Sequence, residues 1–201
     1  MSTAGIALVL FAVFGVLGFG WRSWLQYRRT GSSGFRGISG GITEWVAGTG
    51  FAVALLVAVS APILQLYNAV ASLSALSTAW IQIAGIAIAV AGIAATVYAQ
   101  LEMGDSWRIG VDERENTTLV HTGVFGRVRN PIYTAMFMFG LGVALVTPNF
   151  VACAGFVLLV STIELQVRRV EEPHLSRTHG DEYRAYAATV GRFFPGVGLI
   201  R

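Results

Sequence analysis

The chain has 201 residues, of which 54% are hydrophobic and only 12% are charged, and its net charge at pH 7 is +3. This composition is too apolar for an ordinary soluble domain, and the chain is too short for several domains. It predicts an all-α integral membrane protein with a single membrane domain over residues 1–201. No basic patch is interleaved with aromatic residues, so nucleic-acid binding is not expected. Cys153 is the single cysteine and the three histidines lack ligand spacing, so no disulfide within the chain and no metal site are expected.

Five apolar stretches without charge predict five transmembrane helices. They cover about residues 3–21, 45–66, 80–101, 131–147 and 150–166. A helix needs roughly 20 residues to cross a bilayer, and the first three stretches meet this length. The last two are shorter and are separated only by Thr147 to Asn149, which predicts a helical hairpin over 131–166. Residues 1–101 therefore hold three N-terminal spans, and residues 102–201 hold the hairpin and a tail.

The distribution of arginine predicts the orientation. All fourteen arginines lie in the first loop, the third loop or the tail, and the segments on the other side, residues 1–5, 67–79 and 148–149, contain none. Because positive residues favour the cytoplasmic side, we expect the N-terminus outside and the C-terminus in the cytoplasm of a bacterial-type plasma membrane. The polar segments of the third loop and the tail then face the cytosol.

Small residues recur in the third apolar stretch, over Ala84 to Ala95, at spacings of three, four and seven. Small residues at this spacing allow the backbones of neighbouring helices to approach closely in a membrane. We therefore expect tight helix packing along this stretch.

Polar residues flank the predicted hairpin at both of its ends. Asn130 and Pro131 precede the fourth span, where Asn is a favourable N-cap and Pro is tolerated at the first helical position. Glu171 and Glu172 follow the fifth span, and a short helical pattern with Tyr183 and Tyr186 comes after them. Because a hairpin returns to its starting side, both polar clusters should meet at the same edge of the membrane.

These segments resemble a known family, the integral membrane methyltransferases that include isoprenylcysteine carboxyl methyltransferase and the phospholipid methyltransferases. The resemblance rests on the order and spacing of TTLVHTGVF (117–125), RNPIY (129–133), EEPHL (171–175), HGDEYRAY (179–186), VGR (190–192) and Pro195. It covers about the last 80 residues. Asn130 stands where this family usually has His, and His179 stands where it usually has Phe.

The resemblance implies a site for S-adenosylmethionine formed by the third loop, the start of the fourth span and a short cytoplasmic helix in the tail. The residues that match the family's motif positions are Thr117, Thr118, Leu119, Val120, Phe125, Arg129, Asn130, Pro131, Ile132, Tyr133, Glu171 and Glu172. Adjacent helical residues do not face each other, so Glu171 is expected to be a ligand and Glu172 a supporting residue. Arg168 is a candidate for orienting the acceptor, and no catalytic residue is assigned.

The expected reaction is methyl transfer to a lipophilic, isoprenoid or lipid-like acceptor at the cytoplasmic membrane face, with membrane lipids as the surroundings. Two alternatives stay open. A reductase of the sterol-reductase type would use NADPH and usually lacks the Glu-Glu pair, and a non-enzymatic membrane scaffold would need no cofactor. The identity of the acceptor and the oligomeric state do not follow from the sequence.

Overall fold

The computed structural model describes residues 1–35, 41–107 and 118–200. Within these ranges the secondary structure is helical, and β-pairing is limited to isolated bridges. The α-helices are α1 (Thr3–Phe14), α2 (Arg22–Thr30), α3 (Ile42–Leu66), α4 (Ala79–Met103), α5 (Pro131–Val146), α6 (Phe150–Gln166) and α7 (Glu172–Thr189). Wide π-helical turns join α1 to α2 at Gly15–Trp21 and α6 to α7 at Val167–Glu171.

Four helical segments of the described chain are long and apolar enough to cross a membrane. They are Thr3–Thr30, Ile42–Leu66, Ala79–Ser106 and Phe150–Thr189. Helix α5 is apolar but has only 16 residues, a length of about 24 Å against a hydrocarbon core of about 30 Å. The described residues thus confirm an all-α fold with four candidate membrane-spanning helices, while the fifth span and the orientation of the termini stay predictions.

The predicted helical hairpin is present with nearly the expected bounds. Helices α5 and α6 are separated by Thr147, Pro148 and Asn149, whose side chains are all fully buried. The Asn149 Oδ1 atom accepts a hydrogen bond of 2.9 Å from the Ala152 backbone N–H and so caps α6. Its Nδ2 atom donates to Gln65 Oε1 of α3 at 3.0 Å. The turn is therefore fixed both to its own helix and to a neighbouring one.

Helices α4 and α5 pack backbone to backbone, which confirms the close approach expected from the small residues of α4. A Cβ atom added at Gly92 would lie 2.5 Å from the backbone N of Phe139 and 2.9 Å from the carbonyl oxygen of Ala135. One added at Gly85 would lie 2.8 Å from the carbonyl oxygen of Gly142. Real Cβ atoms do not approach backbone atoms this closely, so glycine is required at these contacts.

We expect Gly92→Ala to destabilise the protein by about 1 to 3 kcal/mol, since the added methyl group would have to push α5 away from α4. Gly15→Ala is the matched control, because a Cβ atom at Gly15 meets no atom within 4 Å. Thermal unfolding in detergent measures both variants. Equal melting temperatures for the two variants would contradict the backbone contact seen between α4 and α5.

Two clusters of buried apolar residues form the core of the helix bundle. The first joins α1, α4 and α5, where the rings of Phe14 and Phe139 stack with centroids 4.2 Å apart. The second joins α3 and α6 to Phe193 of the tail. Phe51 of α3 and Tyr133 of α5 pack against both clusters. These two aromatic side chains therefore lie where helices α1, α3, α4, α5 and α6 meet.

Helix α2 is held to the end of α4 by contacts of two buried polar side chains, Arg22 and Gln26. The Arg22 side chain is fully buried, donates to the carbonyl oxygen of Gly104 at 2.5 Å and lies 4.5 Å from the ring centroid of Trp107. Gln26 donates to the carbonyl oxygen of Asp105 at 2.7 Å. These bonds satisfy two carbonyl groups that follow α4 and hold α2 against this end of the bundle.

Candidate functional site

The C-terminal tail folds back across the start of α5. The backbone N–H of Arg129 donates to the carbonyl oxygen of Gly191 at 2.8 Å, and that of Asn130 donates to the carbonyl oxygen of Arg192 at 3.0 Å. One turn further, the Thr134 hydroxyl donates to the carbonyl oxygen of Phe193 at 2.9 Å. The residues before α5 and residues 191–193 of the tail therefore form one unit.

A buried ion-pair network of Arg129, Glu172 and Arg192 joins these segments. Arg129 Nη2 lies 2.7 Å from Glu172 Oε1, and Arg192 donates from Nε to Oε1 and from Nη2 to Oε2, both at 2.8 Å. The bidentate contact and its burial make this a charge-assisted pair of the strong kind. The hydrogen bonds to Glu172 raise the pKa of Arg192 above its usual value. Glu172 is thus enclosed by two positive charges.

The guanidinium of Arg129 makes further bonds to the tail. Its Nη1 atom donates to the carbonyl oxygens of Ala187, at 3.1 Å, and Val190, and its Nη2 atom donates to that of Gly198 at 2.9 Å. Only 2% of its side chain is exposed. Both terminal nitrogens of Arg129 are therefore occupied by acceptors of the protein itself.

Glu171 has different surroundings from Glu172, although the two are adjacent in sequence. It is half-buried, and its Oε1 atom accepts a hydrogen bond of 2.5 Å from the Tyr133 hydroxyl and a longer one of 3.4 Å from Gln166 Nε2. The π-helical turn Val167–Glu171 ends here, and a wide turn rotates the following residues relative to the preceding helix. The two carboxylates point to different partners, because adjacent residues of a helix do not face each other.

The segment before α5 contributes a short turn, Gly123–Gly126, that lies against the end of α4. Gly123 has a φ of +59°, which other residues adopt only with strain, so the glycine of the LVHTGVF motif has a local structural reason. Phe125 is buried, and its carbonyl oxygen accepts a hydrogen bond of 2.5 Å from the Tyr186 hydroxyl. The turn is therefore joined to the tail helix.

The remaining predicted site residues lie along the same part of the chain. Leu119, Val120 and Ile132 are half-buried, Pro131 is buried, and Thr118 is exposed. Thr117 lies outside the described residues. The structure thus brings the segment from 125 to 133 together with Glu171 and Glu172.

Asn130 occupies the predicted N-cap position before Pro131, the first residue of α5, but its side chain makes no capping bond. Its Nδ2 atom donates instead to the carbonyl oxygen of Arg192 at 3.2 Å. The tail offers this amide group a carbonyl acceptor that an isolated helix end lacks. Asn130 therefore fastens the tail.

The predicted tail helix is present but is longer than expected and is kinked. Helix α7 spans 18 residues, and Gly180 interrupts it with a φ of 54°. This conformation accounts for the glycine of the HGDEYRAY motif. Beyond the kink, Tyr183 is almost fully buried, which fixes the second half of α7 against the site.

Arg168, the residue suggested for the acceptor, is paired with Glu164 one helical turn away, and its side chain is 57% exposed. This pair also explains how an ionisable residue is accommodated near the end of α6. A role for Arg168 toward an acceptor stays a prediction.

Sequence reasoning missed the partnership of Arg192 with Glu172. Arg192 belongs to the VGR motif, so its position was noticed, but no spacing rule joins it to a carboxylate twenty residues away. Only the residue type could have indicated this pair, because a Glu that is buried beside the membrane requires a positively charged partner.

The arrangement can hold a polar, partly cationic small molecule. Glu171 offers carboxylate oxygens at a half-buried position, Tyr133 and Phe125 offer aromatic faces, and the Arg129–Glu172–Arg192 network holds the surrounding segments in place. Within the described part of the chain, no group of three His, Cys, Asp or Glu side chains comes together at metal-binding distance.

Comparison with known proteins gives two curated relatives and one family. The chain is 30% identical over 99 residues to a protein-S-isoprenylcysteine O-methyltransferase of Schizosaccharomyces pombe, covering 48% of this chain and 42% of that protein. It is 28% identical over 123 residues to the nickel-cobalt-cadmium resistance protein NccN of Alcaligenes xylosoxydans xylosoxydans, covering 61% of this chain and 55% of that protein. The matches span about half the length of these curated relatives. The sequence profile for phospholipid methyltransferase matches residues 80–182, about half of the chain and the part that contains most of the site, so the protein belongs to the phospholipid methyltransferase family.

Proposed function

We propose that the protein transfers a methyl group from S-adenosylmethionine to a lipophilic acceptor at the cytoplasmic face of the membrane. The observation that carries this proposal is the Tyr133–Glu171 pair, which the folded tail and the start of α5 present together at one end of the helix bundle. Family membership supports methyl transfer, and the arginine distribution supports the cytoplasmic side.

The residues present suit this cofactor. It carries an ammonium, a carboxylate, two ribose hydroxyls, an adenine and a sulfonium. Glu171 would accept hydrogen bonds from the ammonium or the hydroxyls, and Tyr133 holds its carboxylate in position. Leu119, Val120 and Phe125 would cover the apolar parts, and an aromatic face also attracts a sulfonium cation. Thr117 and Thr118 complete the proposed lining.

We assign Arg129 and Glu172 to support of the site, which keeps the supporting role expected for Glu172 and revises the cofactor contact expected for Arg129. Their charged atoms already face each other and the tail. Holding the tail across the start of α5 keeps Tyr133 and Glu171 in register with each other. It also covers this end of the bundle, and exclusion of water strengthens the electrostatic contacts inside a site.

The cofactor, when bound, supplies an activated methyl group. The protein's own task is to align the acceptor with it and to keep the site dry, because an in-line displacement depends on orientation. An acceptor dissolved in the bilayer can reach a site at the end of membrane-spanning helices without leaving its lipid surroundings. Arg168, exposed beside the end of α6, is proposed to orient an acidic group of the acceptor or a lipid phosphate.

We expect purified protein in nanodiscs to be stabilised by S-adenosylmethionine and by its demethylated product, and not by NADPH. A ligand that binds only the folded state contributes about 2.7 kcal/mol at a hundred times its dissociation constant, which a thermal melt detects. The product should act as well, since most contacts are made to parts other than the transferred methyl group. Binding of NADPH alone would support the reductase, and absence of binding by all three ligands to folded protein would support the scaffold.

A further inference from the structure

Glu44, in the first turn of α3, is a buried acid for which the described residues provide no partner. Only 8% of its surface is exposed, and its Oε1 atom is buried without a hydrogen bond. Burying a carboxylate oxygen without a partner costs free energy, so such groups are rare in native structures and require an explanation, of which a catalytic role is one. The positive end of the α3 dipole lowers this cost, but it does not provide the missing hydrogen bond to Oε1.

Glu44 lies on the face of α3 that is turned toward the candidate site. Phe51 follows it by seven residues, a spacing that places two helical side chains within about 20° of each other. Phe51 packs against both core clusters, and Tyr133 packs against the same two clusters. Glu44 is therefore on the Phe51 side of α3, about 10 Å nearer to the end of the helix that leads toward Glu171.

The register of α3 and α6 places Glu44 at the level of the site. A Cβ atom on Gly155 would lie 2.8 Å from Cα of Ala58, and one on Gly50 would lie 2.7 Å from Cγ2 of Thr162. The two helices run antiparallel, so each step back along α3 is a step forward along α6. Continuing this register brings Glu44 level with residues 168 and 169, less than one turn before Glu171.

We infer that Glu44 is the acceptor-side base of the proposed methyl transfer. The inference rests on the proposed function and adds the class of acceptor: the attacked atom carries a proton, as in an amine, phenol or thiol, and is not a carboxylate oxygen. As the lone pair of that atom bonds to the methyl carbon, the carbon–sulfur bond breaks with its electron pair left on sulfur. The proton of the attacked atom passes to the carboxylate of Glu44.

The test uses S-adenosylmethionine labelled with tritium in the methyl group, wild-type protein in nanodiscs and the total lipid extract of the source organism. We expect transfer of label to lipid, and we expect Glu44→Gln to slow it by about a hundredfold or more, the range for loss of a general base. Glu44→Asp should retain part of the rate. Glu182→Gln, an exposed acid of α7, is the matched control and should transfer at the wild-type rate.

The linkage in the product tests the acceptor class directly. A methyl group on nitrogen, a phenol oxygen or sulfur stays bound in mild alkali, whereas a methyl ester releases volatile labelled methanol. Label that is released by alkali would overturn the inference, and so would a Glu44→Gln variant that transfers as fast as the wild type. Absence of transfer by a wild type that binds the cofactor would also overturn it.

Two measurements that need no methyl transfer distinguish a catalytic base at Glu44 from a carboxylate with only a structural role. Glu44→Gln should bind the demethylated cofactor with the affinity of the wild type. A wild type that does not bind this ligand would contradict the proposed function. A wild type that binds it and a Glu44→Gln variant that does not would contradict the inference alone. Dicyclohexylcarbodiimide should modify Glu44 in the wild type, seen as a mass increase of its peptide, and added lipid extract should protect it. Failure to modify Glu44 would mean that the carboxyl is sealed in the core, against the inference.

Discussion

Replacing Glu172 with alanine is expected to destabilise the folded protein by about 3 to 5 kcal/mol, because it removes the shared partner of two buried or half-buried arginines. Arg129 and Arg192 both bond to this carboxylate, and their side chains are only 2% and 11% exposed. Water does not readily reach Arg129 to replace the lost contact. Denaturation in detergent, followed by circular dichroism, measures the change in free energy of unfolding.

A double-mutant cycle gives this expectation a sharper form. If Glu172 acts as the partner of Arg192, the variant with both residues changed to alanine should be more stable than the sum of the two single changes predicts. Asp181→Ala is the matched control, since the Arg184–Asp181 pair lies at the surface with 66% and 96% exposure and surface pairs contribute little. A Glu172→Ala variant as stable as Asp181→Ala would show that the network does not hold the tail.

The bounds of α5 and α6 follow from the sequence because apolar stretches and a Pro at the first helical position are local signals. The first helical segment continues through α2 to Thr30, well beyond the predicted apolar stretch 3–21. This extension contains Arg22 and Gln26, which are buried through bonds to the carbonyl oxygens of Gly104 and Asp105. Contacts between residues about eighty positions apart leave no periodic pattern in the sequence, so the extension is not predictable from it.

The candidate site shows the same division between local and distant information. The different orientation of Glu171 and Glu172 follows from helix geometry, and the sequence-based ranking of the two rests on it. The identity of their partners depends on how the tail returns to α5, which no spacing rule specifies. Asn130 is the clearest case. Its residue type favours a capping bond to the first turn of α5, but its side chain donates instead to the carbonyl oxygen of Arg192, sixty-two positions away. The burial of Glu44 is not predictable from the sequence either, since an acidic residue in the first turn of a helix is common.

Replacing Glu171 with alanine is expected to weaken binding of S-adenosylmethionine and of its demethylated product by about ten- to a hundredfold, while the protein stays folded. A hydrogen bond to a charged group contributes about 1.5 to 3 kcal/mol in a partly dry site, which corresponds to this range of affinity. Because Glu171 is half-buried and is not part of the Arg129–Glu172–Arg192 network, its loss should affect the melting temperature of the free protein less than the loss of Glu172.

Two further variants show whether the carboxylate itself is what the cofactor needs. Tyr133→Phe removes the hydroxyl that donates to Glu171 and leaves the ring and the charge, so it should weaken binding less than Glu171→Ala does. Glu182→Ala, an exposed acid of α7 outside the site, should leave the affinity unchanged. Isothermal titration with the demethylated product in nanodiscs measures all three variants without a methyl acceptor. Equal affinities for Glu171→Ala and Glu182→Ala would remove Glu171 from the proposed site, because a carboxylate that binds an ammonium or ribose hydroxyls must differ from one that faces only water.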